Sequence, residues 1–192
     1  MIKNKLHEQG GLVTFEILSN GTNITDTVEL VNMEILLSKN NEIKLTIVDY
    51  DKFAIANSSA FKIGNSIEIK LGYDCKNNPI CSALITRVEI KTNKEIGKIL
   101  IVYCKSLNMH KGSDSSLLQL SLDNNVIDVT LSINGSKTNA ANGIIITQGT
   151  GYVNPNDTIT IDGFGHNFDG DVTVKNVLHK IDNGNWLSSI HI

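Results

Sequence analysis

Apolar and polar residues alternate with a period of two through most of this 192-residue chain, and few architectures accept that pattern. Val13, Phe15 and Ile17 alternate with Thr14 and Glu16; Ile43, Leu45 and Ile47 with Glu42, Lys44 and Thr46; Ile67, Ile69 and Leu71 with Ser66, Glu68 and Lys70. Successive side chains of a strand point to opposite faces, so each run describes a ribbon with one buried and one wet face. Residues 98–104 are apolar on both faces, as in a strand covered on both sides. Turn formers separate the runs: Asn20-Gly21, Asn40-Asn41, Asn77-Asn78-Pro79, Asn124-Asn125, Asn134-Gly135 and Asn183-Gly184. Asn-Gly tolerates positive φ at both central positions of a tight hairpin. The pattern predicts strands near 11–18, 28–37, 42–49, 65–72, 80–90, 97–105, 126–133, 143–148, 157–162, 171–181 and 185–192. A helix of a turn or two is expected over 113–120, capped by Ser113 or Asp114. Ile, Val and Thr together number 52 against six Ala, which favours pleated, half-buried surfaces. The expected class is all-β.

Composition removes several functions. The formal charge is −3, and of 17 basic residues only Arg87 is an arginine, so the chain lacks the basic footprint and Arg forks of a nucleic-acid binder. No apolar run approaches the ~18–20 residues of a membrane span. Met1–Glu8 has no apolar stretch of the secretory kind, so synthesis in the cytoplasm is expected. Cys75, Cys81 and Cys104 are odd in number and lack CxxC spacing. Cys75 and Cys81 flank the Asn77-Asn78-Pro79 turn and could face each other across a hairpin, but free cysteine is the better reading for a cytosolic chain.

An imperfect repeat runs through the chain. The first copy is Phe61-Lys62-Ile63-Gly64-Asn65-Ser66-Ile67-Glu68-Ile69, then Gly72-Tyr73, a turn, residues 80–88, and a closing strand at 98–104. The second is residues 152–161, then Gly163-Phe164, a loop, residues 168–177, and a closing strand at 185–192. Composition shifts toward Asn, Ser and Thr after Gly112-Ser113-Asp114-Ser115-Ser116. Two units follow: 1–111, and 112–192 comprising linker strands and a second unit. The expected cores are Ile67, Ile69, Leu84, Ile99 and Ile101 in the first, and Ile159, Ile161, Val172, Val174, Trp186 and Ile190 in the second. Pro79 and Pro155 both fall outside the predicted strands.

Catalysis has little to stand on. His166 and His179 show no ligand spacing for a metal. Asp49-Tyr50-Asp51 and Asp169-Gly170-Asp171 sit in or beside turns, where Asp is favoured for its own backbone bonding. There is no GxSxG, no Walker loop and no GxGxxG opening a helix. Neither an enzyme, a cofactor nor a metal site is expected.

Residues 59–73, with Asp49-Tyr50-Asp51 upstream and residues 80–86 downstream, resemble the first-barrel signature of VgrG-type hub proteins. Pro155-Asn156-Asp157, Gly163, Phe168-Asp169-Gly170, Val172, Val174, Val177, His179 and Gly184-Asn185-Trp186 resemble the last barrel of that family. The resemblance implies two tandem small β-barrel-like units as in phage tail hub proteins. It implies a baseplate hub of a contractile injection system: a phage tail, a type VI secretion apparatus or an extracellular phage-tail-like particle. Such hubs are homotrimers whose six barrels adapt a hexameric tube to a threefold spike. The implied partners are an inner tube ring, a separate spike or needle protein and baseplate wedge proteins, with no nucleic acid and no membrane span. The particle would be assembled in the cytoplasm and exported or released with this chain in it. The inserted material between the family's barrels is expected to shrink to residues 113–142, and no needle is expected after Ile192, as in a minimal hub whose needle is a separate protein or in a truncated relative whose ring geometry differs.

Within the loop 163–170, Phe164, His166 and Phe168 are candidate interface residues, because both aromatics sit beside glycines outside any alternating run. The same aromatics could instead tuck into their own unit. The rival functional reading is a monomeric β-barrel module that binds a glycan or peptide in a cleft near Tyr152, Phe164 and Trp186. A third is a small β-hydrolase, for which the sequence selects no carboxylate pair.

Overall fold

The structure is a computed structural model that describes residues 11–49, 54–93, 97–109, 118–121, 126–133 and 141–192. Its strands are β1 (Val13–Ser19), β2 (Thr22–Asn23), β3 (Glu29–Leu37), β4 (Glu42–Val48), β5 (Ser66–Tyr73), β6 (Lys76–Asn93), β7 (Gly97–Met109), β8 (Leu118–Ser121), β9 (Val126–Ile133), β10 (Ala141–Gln148), β11 (Thr158–Asp162), β12 (Gly170–Thr173), β13 (Asn176–Asp182) and β14 (Asn185–His191). Short 3-10 turns at Thr25–Thr27 and Ser59–Phe61 are the helical pieces among the described residues. The chain is all-β. Of the helix expected over 113–120, residues 113–117 lie outside the described residues, and Leu118–Leu120 are strand β8, hydrogen-bonded in parallel to β11.

Eleven strands form one sheet in the order β2-β1-β5-β6-β7-β4-β3-β13-β14-β10-β9; β12-β11-β8 form a second. Both sheets are open, so the two units are not closed barrels. The large sheet also runs from one half of the chain into the other, where Val177, His179 and Ile181 of β13 pair with Leu37, Ile35 and Met33 of β3. One apolar core underlies both sheets, from Ile17, Leu45 and Ile69 to Ile159, Val174 and Ile190.

Three two-residue hairpins set the registers. Asn20-Gly21 joins β1 to β2, Asp74-Cys75 joins β5 to β6, and Asn183-Gly184 joins β13 to β14, all with positive φ at both positions. The β5–β6 turn therefore falls at Asp74-Cys75, not at Asn77-Asn78-Pro79, and Pro79 lies inside β6. A proline is tolerated there because the ladder slips at that point: Ile69 opposes Cys81 and Lys70 opposes Pro79, leaving Ile80 unpaired in a bulge. With the turn displaced, Cys75 is exposed at the hairpin tip and Cys81 is buried mid-strand, so the two do not face each other and all three cysteines are free. Burial pushes the thiols of Cys81 and Cys104 up to about 12, Cys81 being raised in addition by Cys104.

The bulge also inverts one expected core position. Cys81, Ala83 and Ile85 point inward and are buried, whereas Leu84 is only half-buried. Ile67, Ile69, Ile99 and Ile101 are buried as expected, as are Ile159, Ile161, Val174, Trp186 and Ile190, while Val172 is half-buried against the core.

The internal repeat is visible in backbone bonds. Asn65 N–H bonds to the Lys62 carbonyl (3.0 Å), Gly64 N–H to the Ile85 carbonyl and Ile85 N–H to the Asn65 carbonyl (both 2.9 Å). In the second half Asp157 N–H bonds to the Asn154 carbonyl (3.1 Å), Asn156 N–H to that of Val174 (2.8 Å) and Val174 N–H to that of Asp157 (2.9 Å). Gly64 and Asn156 occupy the same turn position at φ +91° and +71°, with Pro155 pre-set before the latter. What differs is the strand that follows. β6 stays in the large sheet, with a bulge at Thr86, whereas its counterpart leaves the small sheet as β12 and enters the large one as β13. At the switch, Val174 N–H bonds to Asp157 and the next amide, Lys175 N–H, bonds to the His191 carbonyl (2.7 Å).

Candidate assembly site

The candidate interface residues share one tight loop between β11 and β12. Gly163, Gly165 and Gly170 all take positive φ. The Gly165 carbonyl accepts N–H bonds from Phe168 (2.7 Å) and Asp169 (3.0 Å), and the Asp169 carboxylate accepts the Phe164 N–H (2.8 Å). Phe164 packs half-buried on the chain's own core, Phe168 is half-buried, and His166 is exposed. The loop thus presents an imidazole to solvent on a base pinned by Phe164.

The other acidic candidates are also engaged within the chain. The buried Asp49 carboxylate accepts N–H bonds from Ile55 (3.3 Å) and Ala56 (3.0 Å), holding the segment after β4; Tyr50 and Asp51 lie outside the described residues. Asp171 accepts the Thr160 hydroxyl at 2.6 Å. Among the described residues no group of three or more His, Cys, Asp or Glu is placed to hold a metal ion.

His179 and Trp186 lie on neighbouring strands and meet inside the protein. Tyr73 stacks on Trp186 with ring centroids 5.5 Å apart, and His179 meets Trp186 edge-on at 5.8 Å. The Tyr73 hydroxyl donates to the Gly149 carbonyl (3.2 Å), tying β5 to the segment after β10. Gly149 lies against the indole: a Cβ there would come within 2.0 Å of Trp186 ring carbons, so only glycine fits. His179 Nδ1 lies 2.9 Å from Ser188 Oγ and accepts the indole N–H at 3.4 Å, while Ser188 Oγ accepts the Thr150 N–H at 3.1 Å. Because an indole can only donate, Nδ1 is the bare nitrogen and the proton sits on Nε2. Nε2 is buried with no polar partner among the described residues. Burial holds the ring neutral, with its pKa lowered to about 4. Trp186 is 4% exposed, which removes it as a platform for a sugar or peptide beside Tyr152 and Phe164.

The outer face of the large sheet carries a cleft of about 380 Å³, with Leu36 and Leu178 among its lining residues. Arg87 lies 3.9 Å over the Tyr103 ring and pairs with Glu89 at 2.6 Å. Tyr103 donates to Glu89 at 3.3 Å, and Lys44 pairs with Glu34 at 3.3 Å. Sequence reasoning missed this cleft because its residues come from β3, β4, β6, β7 and β13. Arg87, the lone arginine, was the one available signal.

Fold and site together define a β-sheet module built on a repeated turn and strand, with its carboxylate candidates and His179 engaged within the chain. The family model of the Alg8 N-terminal domain matches residues 9–142, and the chain belongs to that family. No curated protein matches the sequence. Among solved structures, the 43 kDa tail protein of prophage MuSo2 from Shewanella oneidensis is similar with a TM-score of 0.62 at 8% identity, over 92% of this chain and 95% of that one. The tail protein from Neisseria meningitidis MC58 is similar with a TM-score of 0.63 at 7% identity, over 93% and 95%. At such identities the likeness is one of fold.

Proposed function

We propose that this chain is a structural baseplate hub of a contractile injection system, joining an inner tube to a spike as a homotrimer. The observation that supports it is the repeated turn–strand module, on a fold shared with two tail proteins over nearly the whole of every chain. Residues 1–111 carry the first copy and 112–192 the second. Three chains then present six similar modules to a hexameric tube and three equal faces to a spike. VgrG-type hubs of phage tails, type VI secretion and extracellular phage-tail-like particles are the relatives in function under this reading. The inner tube ring, a separate spike protein and the wedge proteins are the partners, and the loop bearing Phe164, His166 and Phe168 is a contact surface for one of them. The role is one of assembly rather than catalysis. The hub is assembled in the cytoplasm and leaves with the particle. Imaging of the intact particle tests the reading: three copies around the tube axis are expected, and a single axial copy or six equivalent copies would refute it.

A further inference from the structure

The end strand β9, and strand β1 where the two-residue end strand β2 does not cover it, each have an open hydrogen-bonding edge among the described residues. At the β9 end, Gly143 and Ile192 exchange two backbone bonds (3.2 and 3.0 Å), so Gly143 faces β14 and its neighbours Asn142 and Ile144 face β9. Their partners Ser132 and Thr130 face back, and Val129, Leu131 and Ile133 therefore aim N–H and C=O away from the sheet. The Val129 N–H is taken by the Asp128 carboxylate beside it (2.8 Å); the others have no partner among the described residues. At the opposite end, the outward groups of Ile17 are closed by the Ile24 N–H and the Thr25 hydroxyl (both 2.9 Å). Phe15 and Val13 lie in step with Ile17, point the same way, and are open among the described residues.

The apolar rows behind these edges are unfinished too. Val126, Val129 and Leu131 on β9, and Val13 and Phe15 on β1, lean on the common core yet stay only half-buried. Exposed edges are ordinarily blunted by lysine, proline or a bulge. Neither strand contains lysine or proline. The single charge of β9 is Asp128, and that of β1 is Glu16, which Lys70 neutralises at 3.3 Å. The bulge of β9 sits at Ile127, where Ile146 opposes Asp128 and Thr147 opposes Val126, and leaves residues 128–133 regular.

We infer that the occupant of the β9 edge is the β1 edge of a second copy of this chain, so that backbone bonds join copies head to tail. Each end offers what the other can pair with: open N–H and C=O groups, and a half-covered apolar row continuing the same core. Pairing β9 with another β9 would give a twofold dimer and leave both β1 edges open, whereas head-to-tail joining uses both ends and leaves none open once the rotation between copies closes a ring. Three copies is the number set by the hub reading, on which this part of the inference rests.

The test is an oxidative cross-link in the full chain, in a Cys75→Ser background because Cys75 is exposed. With Leu131→Cys and Phe15→Cys together, non-reducing gels are expected to show a ladder that stops at three chains, and native mass to read three times 21.0 kDa. Leu131→Pro removes one outward N–H that the sheet itself does not use, and is expected to give a folded monomer. Val13→Pro makes the same test from the other end if the first variant fails to fold. Monomers at every concentration, cross-linked dimers from Leu131→Cys alone, or a trimer that survives a folded proline variant would each overturn the inference. A trimer in the particle without the cross-link rejects the edge pairing and keeps the hub. A cross-linked ring absent from the particle axis does the reverse.

Discussion

Lowering the pH from about 7.5 to about 4.5 should weaken this fold through one buried ring. His179 is fully buried where β3, β13 and β14 adjoin, and its bare Nδ1 accepts from Trp186, whose N–H cannot reverse its role. Protonating Nδ1 would oppose two N–H groups and place a charge beside an unpartnered Nε2. The native ring accordingly resists its proton down to about 4, against an ordinary 6.5 for an exposed imidazole in the unfolded chain. Between those values the unfolded state binds the extra proton, so stability is full above 6.5, falls as pH falls through the window, and gains no further loss from this group below 4. A difference of that size corresponds to about 3 kcal/mol. Carboxylates such as Glu16, which Asn77 and Lys70 hold below the ordinary 4.5, act at lower pH with the same sign and do not account for loss above it. Urea unfolding of the wild type and of His179→Phe across the window is the assay, with His179→Gln as the alternative if the phenylalanine variant does not fold. The wild-type midpoint should fall steeply with acid while the variant's stays nearly level. Parallel curves for wild type and variant would refute the reasoning, as would an NMR titration of His179 centred near 6.5.

Three further outcomes follow from packing and backbone geometry. Gly149→Ala should destabilise by about 3 kcal/mol, since its Cβ would lie 2.0 Å from the Trp186 ring; a melting temperature within error of wild type would contradict that placement. Ile85→Ala should cost about 2–5 kcal/mol and Leu84→Ala distinctly less, because the β6 bulge turns the first inward and the second outward; denaturant midpoints in the reverse order would place the bulge elsewhere. Cys75→Gly should stabilise by up to about 1 kcal/mol, because Cys75 holds φ +65°, and a loss of stability measured by thermal unfolding would contradict the turn.

What the sequence made legible was local. β9 lies at 126–133 as its alternation indicates, and the Asn20-Gly21 and Asn183-Gly184 hairpins follow from residues that accept positive φ. The β5–β6 turn lies at Asp74-Cys75 although Asn77-Asn78-Pro79 carries the stronger turn chemistry, because the cross-strand register overrides it. Alternation alone places Leu84 in the core because a period of two carries no mark of the residue skipped at Ile80. The predicted strand at 171–181 is β12 and β13 in two different sheets, a division that depends on partners 15 or more residues away in Asp157 and His191. The same non-locality hid the union of both halves in one sheet, since β3–β13 pairing leaves no trace in either strand alone. The loop aromatics are singled out in the sequence by their glycine neighbours; the cleft around Arg87 and Tyr103 is not legible there, being assembled from five strands.

The switch at Val174 and Lys175 has a mechanical consequence. Two consecutive amides bond to the residue leading into β11 and to β14, so a single peptide unit bridges the two sheets. A pull along this segment loads the short ladder of β12 with β11 and the longer ladders of β13 with β3 and β14 in shear, where several hydrogen bonds must fail together rather than one after another. The two sheets cannot slide past each other without first tearing one of those ladders. Covalent continuity across the junction of the two sheets gives a resistance to force that side-chain packing alone does not supply.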